Sequence, residues 1–159
     1  MMRSEGRSPR APSLAVDVSA DGARLPLSRA RVAELARAVL RAEKVRDAMV
    51  SIAFVDARDI ASLNRRHLGH RGPTDVISFA LGGGGGAGPV VGDVYISPAV
   101  ARENARRHGV GVREELSRLV VHGMLHVLGY DHPEGEDRVA SPMWRRQERL
   151  VARLAGGAR

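Results

Sequence analysis

The chain contains no cysteine, which excludes a disulfide scaffold, thiol catalysis and thiolate-ligated zinc, and leaves histidine and carboxylates to hold any transition metal. Long apolar runs are missing too: nothing in the 159 residues approaches the roughly 18 to 20 uninterrupted apolar side chains of a membrane helix. Aromatics make up only 3%, too few and too scattered for the stacking platforms with which RNA-binding sheets hold bases. Lysine is nearly absent, Lys44 standing alone among 25 basic residues, so the formal charge of +7 is an arginine charge. Such a surface attracts polyanions, and a nucleic acid bound to it would be held mainly through its phosphates.

What remains, 43% hydrophobic and 27% charged residues, reads as one soluble domain able to bury its own core. Residues 1–13, rich in Arg, Ser and Pro, are expected to form a disordered tail ahead of a single domain over 14–159. The tail's composition also resembles a transit peptide, but it lacks the apolar stretch of a secretory signal. Leu14, Val16 and Val18 alternate as a strand. Ser28 can cap a helix whose face is Val32, Leu35, Ala36, Val39 and Leu40, and Val50, Ile52 and Phe54 alternate as a second strand, parallel to the first through a right-handed crossover. Asp56 opens a helix that Gly69 ends, and HRGPTDVISFAL runs into a third strand. GGGGGAG at 82–88 precedes a strand and lacks the Lys-Ser or Lys-Thr of a phosphate loop, so it is a connector to the fourth strand, GDVYIS, in a hairpin-like pair. Ser97 and Pro98 start a helix that stops at Gly109, a longer one spans about 112–128, and Ser141 and Pro142 open the last. The expected fold is α+β: a four-stranded mixed β-sheet packed with about five helices, with a metal site at the end of a long helix.

Three of the six histidines, His122, His126 and His132, lie in the run HGMLHVLGYDH. His122 and His126 project from one face of a helix a turn apart, and Gly129 lets the chain double back so that His132 can reach the same point. Three imidazoles suit one zinc per chain with a fourth position left for water, the pattern of a catalytic site. Asp131, Glu134 or Asp137 could instead close the shell of a structural ion. The spacing H-x3-H-x2-G-x2-H is shared with metzincin peptidases, in which the residue after the first histidine is the glutamate base; here it is Gly123, so a metallopeptidase is the weaker alternative. A zinc ion held this way lowers the pKa of its water to about 7 and can polarise a phosphoryl oxygen, which suits phosphodiester cleavage without a glutamate.

HGMLHVLGYDH, with PTDVISF and GDVYIS upstream, resembles the bacterial YbeY-type endoribonucleases, the ribosomal RNA maturation factors, over about residues 14–155. The resemblance implies a cytoplasmic, zinc-dependent endoribonuclease specific for single-stranded RNA. Its implied task is 16S rRNA 3′-end maturation and ribosome quality control, with the small ribosomal subunit as partner and no membrane. It also matches the family's zinc ligands to His122, His126 and His132. A non-enzymatic ribosome-binding protein with a structural zinc is the competing class. Many members carry an arginine five residues before the proline of PTDV, and Leu68 stands there in this chain. Arg71, in the turn before the strand, is the first candidate to supply that charge and His70 the second, ahead of Arg66. Arg102, Arg106, Arg107 and Arg113, on and just after the helix preceding the histidine helix, are candidate RNA-phosphate contacts.

Overall fold

The computed structural model describes residues 11–20, 24–83, 88–133 and 135–155. Residues 1–10 of the expected tail, 84–87 of the glycine connector and Glu134 lie outside the described residues. Ser13, assigned to the tail by composition, is already tied to the sheet: its N–H reaches Asp47 Oδ1 at 3.3 Å and its carbonyl accepts from Ala48 N at 2.9 Å.

Four strands, β1 (Leu14–Ala20), β2 (Ala48–Phe54), β3 (Val76–Gly82) and β4 (Val90–Ile96), form a sheet in the order β1-β2-β4-β3. The first three in that order run parallel, and β3 pairs antiparallel with β4 at the edge, with a register shift between Ala80 and Gly82. The expected mixed sheet is therefore present, including the crossover between β1 and β2, made by α1 (Arg29–Ala42). Period-two alternation puts Val50, Ile52, Phe54, Val94 and Ile96 on the buried face. Against that face pack α1 and α4 (Val112–Val127), and α3 (Pro98–His108) lies beside α4. Leu116, Val120, Val121, Met124 and Leu125 of α4 are completely buried, so the helix carrying two of the three histidines is the central element of the core.

Local sequence sets the helix starts. Ser28, Asp56, Ser97 and Ser141 each accept a backbone N–H through the side chain as N-cap of α1, α2 (Ala57–Leu63), α3 and α5 (Pro142–Leu150). The helical stretch from Asp56 stops at Gly69 as expected, with Gly69 left-handed at φ 68°, but its last turn is not α-helical. After Leu63 the chain widens into a π-helical turn over Asn64–Leu68, where buried Asn64 donates from Nδ2 to the Gly72 carbonyl at 3.0 Å. A side chain that satisfies a loop carbonyl from within the helix competes with regular α geometry.

Candidate metal centre

His122 and His126 are one turn apart on α4, and the helix ends immediately after them. Gly129 takes a φ of 99°, a region that costs a side-chain-bearing residue energy. Its N–H bonds the His126 carbonyl at 3.0 Å, and Tyr130 N bonds the Leu125 carbonyl at 3.0 Å. This reversal brings His132 back over the helix end. The turn is held from outside: Tyr130 Oη donates to Glu43 Oε2 at 2.9 Å and Arg146 Nε to Glu43 Oε1 at 2.6 Å, which ties it to the end of α1 and to α5.

The three imidazole rings form a triangle, with centroids 4.6, 5.2 and 5.0 Å apart. One nitrogen from each lies within 4.8 Å of the others, and among the described residues these histidines are the group of donors close enough to share an ion. Each Nδ1 faces a carbonyl oxygen: Gln147 Oε1 at 2.6 Å for His122, Tyr130 O at 3.0 Å for His126 and Pro133 O at 3.1 Å for His132. A carbonyl only accepts, so each Nδ1 carries the hydrogen and each Nε2 presents a lone pair. His122 Nε2 and His126 Nε2 then oppose each other at 3.1 Å. Two lone pairs at that distance repel until a cation lies between them. A tetrahedral zinc with bonds of about 2.0–2.1 Å sets its nitrogens about 3.3–3.4 Å apart, close to the spacing of the two helical histidines, and three neutral imidazoles are a donor set that suits the ion.

Burial pushes the His122 imidazole down to about 3, reinforced by the neighbouring His126, Arg138 and His132 and opposed by the Gln147 hydrogen bond. Burial, then His132, lowers His126 as well. Both rings are thereby neutral at physiological pH, the state in which imidazole binds metal. Two of the carboxylates considered for a fourth ligand face solvent. Asp131 is exposed and its Oδ1 accepts from His132 N at 2.8 Å, and Asp137 is exposed as well.

A cleft of about 770 Å³ opens beside His122, walled by Asp75, Asn104, Arg118, Arg138 and Trp144 among others. Its walls are braced: Asn104 Nδ2 donates to Asp75 Oδ2 at 3.1 Å, and Arg118 bonds both oxygens of Glu148, at 2.8 and 3.2 Å.

The structure brings the histidine triad together. His70 and Arg71 are exposed in the loop before β3 and do not line the cleft. None of Arg102, Arg106, Arg107 and Arg113 lines it either, although Arg107 adjoins the lining residue His108. Arg102 donates to the Arg24 carbonyl at 2.8 Å, and Arg106 pairs with Glu103. Gln147 and Arg138 were missed by sequence reasoning. For Gln147 a signal existed: it sits between Met143 and Leu150 in the buried stripe of α5, and an amide on an apolar face needs a partner there.

Known proteins resemble the chain over most of its length. The family model described as "Endoribonuclease YbeY" matches residues 19–155. A protein of that name from Syntrophus aciditrophicus (strain SB) is 32% identical over 147 residues, covering 91% of this chain and 92% of the relative. Another, from Frankia alni, is 36% identical over 92% of this chain and 89% of its own length, and one from Geobacillus kaustophilus is 46% identical over 67% and 73%. The solution structure of TM1509 from Thermotoga maritima superposes with a TM-score of 0.58 at 26% identity, covering 89% of each chain.

Proposed function

The chain belongs to the YbeY endoribonuclease family, and from that premise we propose that it is a zinc-dependent hydrolase of single-stranded RNA. One zinc per chain would be held by His122, His126 and His132. The observation that carries this reading is that the three imidazoles each set Nδ1 against a carbonyl oxygen and bring one ring nitrogen apiece within 4.8 Å of the others. Zinc, when bound, supplies Lewis acidity toward water and toward a phosphoryl oxygen.

The rest is performed by the chain itself. Hydrolysis forms one bond from an oxygen nucleophile to phosphorus and breaks one ester bond, whose oxygen leaves with a proton. Gln147, Tyr130 and Pro133 fix the imidazoles so that no reorganisation accompanies that step. The cleft has the volume for a nucleotide. Arg107 and Arg113, exposed at the end of α3 and the start of α4, would meet flanking phosphates, with Arg102 and Arg106 further along α3. The proposed substrate is 16S rRNA, near its 3′ end on the small ribosomal subunit. The proposed setting is 16S maturation and ribosome quality control in the cytoplasm. Among the described residues no helix is long and apolar enough to cross a membrane.

The test is cleavage of a labelled single-stranded RNA and of its duplex by zinc-loaded, chelator-stripped and reloaded protein. Cleavage of the single strand alone, lost with the metal and restored by zinc while the helical circular dichroism persists, is expected. Intact, loaded protein that leaves the single strand uncut would overturn the reading, and collapse of the helical signal on stripping would favour a structural ion.

A further inference from the structure

Arg138 lies in the 3-10 turn Gly135–Ala140, between His132 and α5. Its backbone is pinned, since the carbonyl accepts from Ser141 N at 3.2 Å and Ser141 Oγ at 2.7 Å. Its guanidinium carbon sits 5.6 Å from the centroid of the Trp144 ring, an arrangement that restrains the planar group without consuming its hydrogens. The other arginines around the site are spent on carboxylates: Arg118 on Glu148, Arg146 on Glu43. Among the described residues no carboxylate lies within ion-pair distance of Arg138, and its Nε is buried with no hydrogen-bond partner. A buried, unmatched donor on a cation is costly, and an anion in the cleft that the same guanidinium lines would offset that cost.

Arg138 and His122 line the same cleft. From this geometry we propose that Arg138 is the group that grips the scissile phosphate beside the metal centre. The inference rests on the RNA-hydrolase reading and deepens it. A guanidinium fork can meet two phosphoryl oxygens at once. Those oxygens carry more negative charge as the nucleophile bonds to phosphorus, so the contact strengthens in the transition state and acts on turnover more than on binding. Arg118 faces the cleft too, but its Nε and Nη2 are taken by Glu148.

The experiment compares the parent with Arg138→Ala and Arg138→Lys in two assays. One is turnover of single-stranded RNA by zinc-loaded protein; the other is affinity of metal-free protein for the same RNA as a function of salt. Arg138→Ala is expected to lose about 100-fold in turnover with zinc content and melting temperature unchanged. In the binding assay its log–log salt slope should fall by about 0.7, the loss of one phosphate contact on a single strand. Arg138→Lys should recover the salt slope but only part of the turnover, because an ammonium cannot make the fork. If Arg138→Ala proves unstable, Arg138→Lys carries the test through the same split. Parent turnover and parent slope in Arg138→Ala overturn the proposal. Should the parent cut no RNA while the slope still falls in Arg138→Ala, the hydrolase reading fails and the phosphate contact stands.

Discussion

Gly123, between the two helical histidines, faces Val94 of β4 so closely that a Cβ there would lie 2.6 Å from Val94 Cγ1 and 3.3 Å from Ser78 Oγ. Gly92 makes the reciprocal approach, where a Cβ would meet Val127 Cγ1 at 2.5 Å. These two positions set how near α4 comes to the sheet, and so where His122 and His126 stand. The position that carries a glutamate base in metzincins therefore points into the core here, and no side chain at 123 could serve the metal centre. Gly123→Ala is expected to destabilise the fold by about 1–3 kcal/mol through overpacking against Val94, which is itself completely buried. Denaturant unfolding measures it, and a loss below a few tenths of a kcal/mol would show that the sheet yields.

Gln147 orients His122 from α5. Gln147→Ala should weaken zinc binding about 10- to 100-fold in a chelator competition, and Gln147→Glu, which keeps an acceptor at the same reach, should retain most of the affinity. Equal loss in both variants would mean that packing of α5, and not the hydrogen bond, is what His122 requires.

Much of this arrangement was legible in the sequence because it is local. Caps at Ser28, Asp56, Ser97 and Ser141, alternation in the strands, and two histidines four residues apart with a glycine after them are read within a dozen residues. What escaped is non-local: Gln147 lies 25 residues from His122, and Arg138 reaches the cleft through a 3-10 turn that no periodicity marks. In sequence Gly123 stands out only against the metzincin pattern, whereas its cause, the approach of Val94, is a tertiary contact. In sequence the turn at 64–68 is indistinguishable from plain helix, because a π-helical widening is a change of backbone hydrogen bonding that leaves no residue pattern of its own.

Glu115 of α4 gives a pH signature. Burial holds its carboxyl above the ordinary carboxylate range, Asp75 adds to the effect, and Arg118 and His108 oppose it. Between the ordinary value of about 4.3 and the raised one, the folded state binds more protons than the unfolded, so this residue's contribution to stability falls as pH rises. Glu115→Gln does not titrate. Its melting temperature relative to the parent, both metal-free, should therefore be more favourable at pH 7 than at pH 4. A difference that stays constant or reverses would contradict the assignment.

Binding of single-stranded RNA should weaken steeply with salt, since the +7 charge is borne by arginines and only 3% of residues are aromatic. Arg107→Ala and Arg113→Ala should each reduce the log–log slope by about 0.7. An affinity flat between low and physiological salt would mean that bases, not phosphates, are held.

Zinc content per chain in the parent and in His126→Ala, measured after equilibrium dialysis against the same buffered free zinc, tests the central claim most directly. The convergence of three imidazole nitrogens predicts one zinc per parent chain and almost none in the variant, with its fold retained. Equal zinc in the two would show that the metal is held elsewhere and would contradict the account.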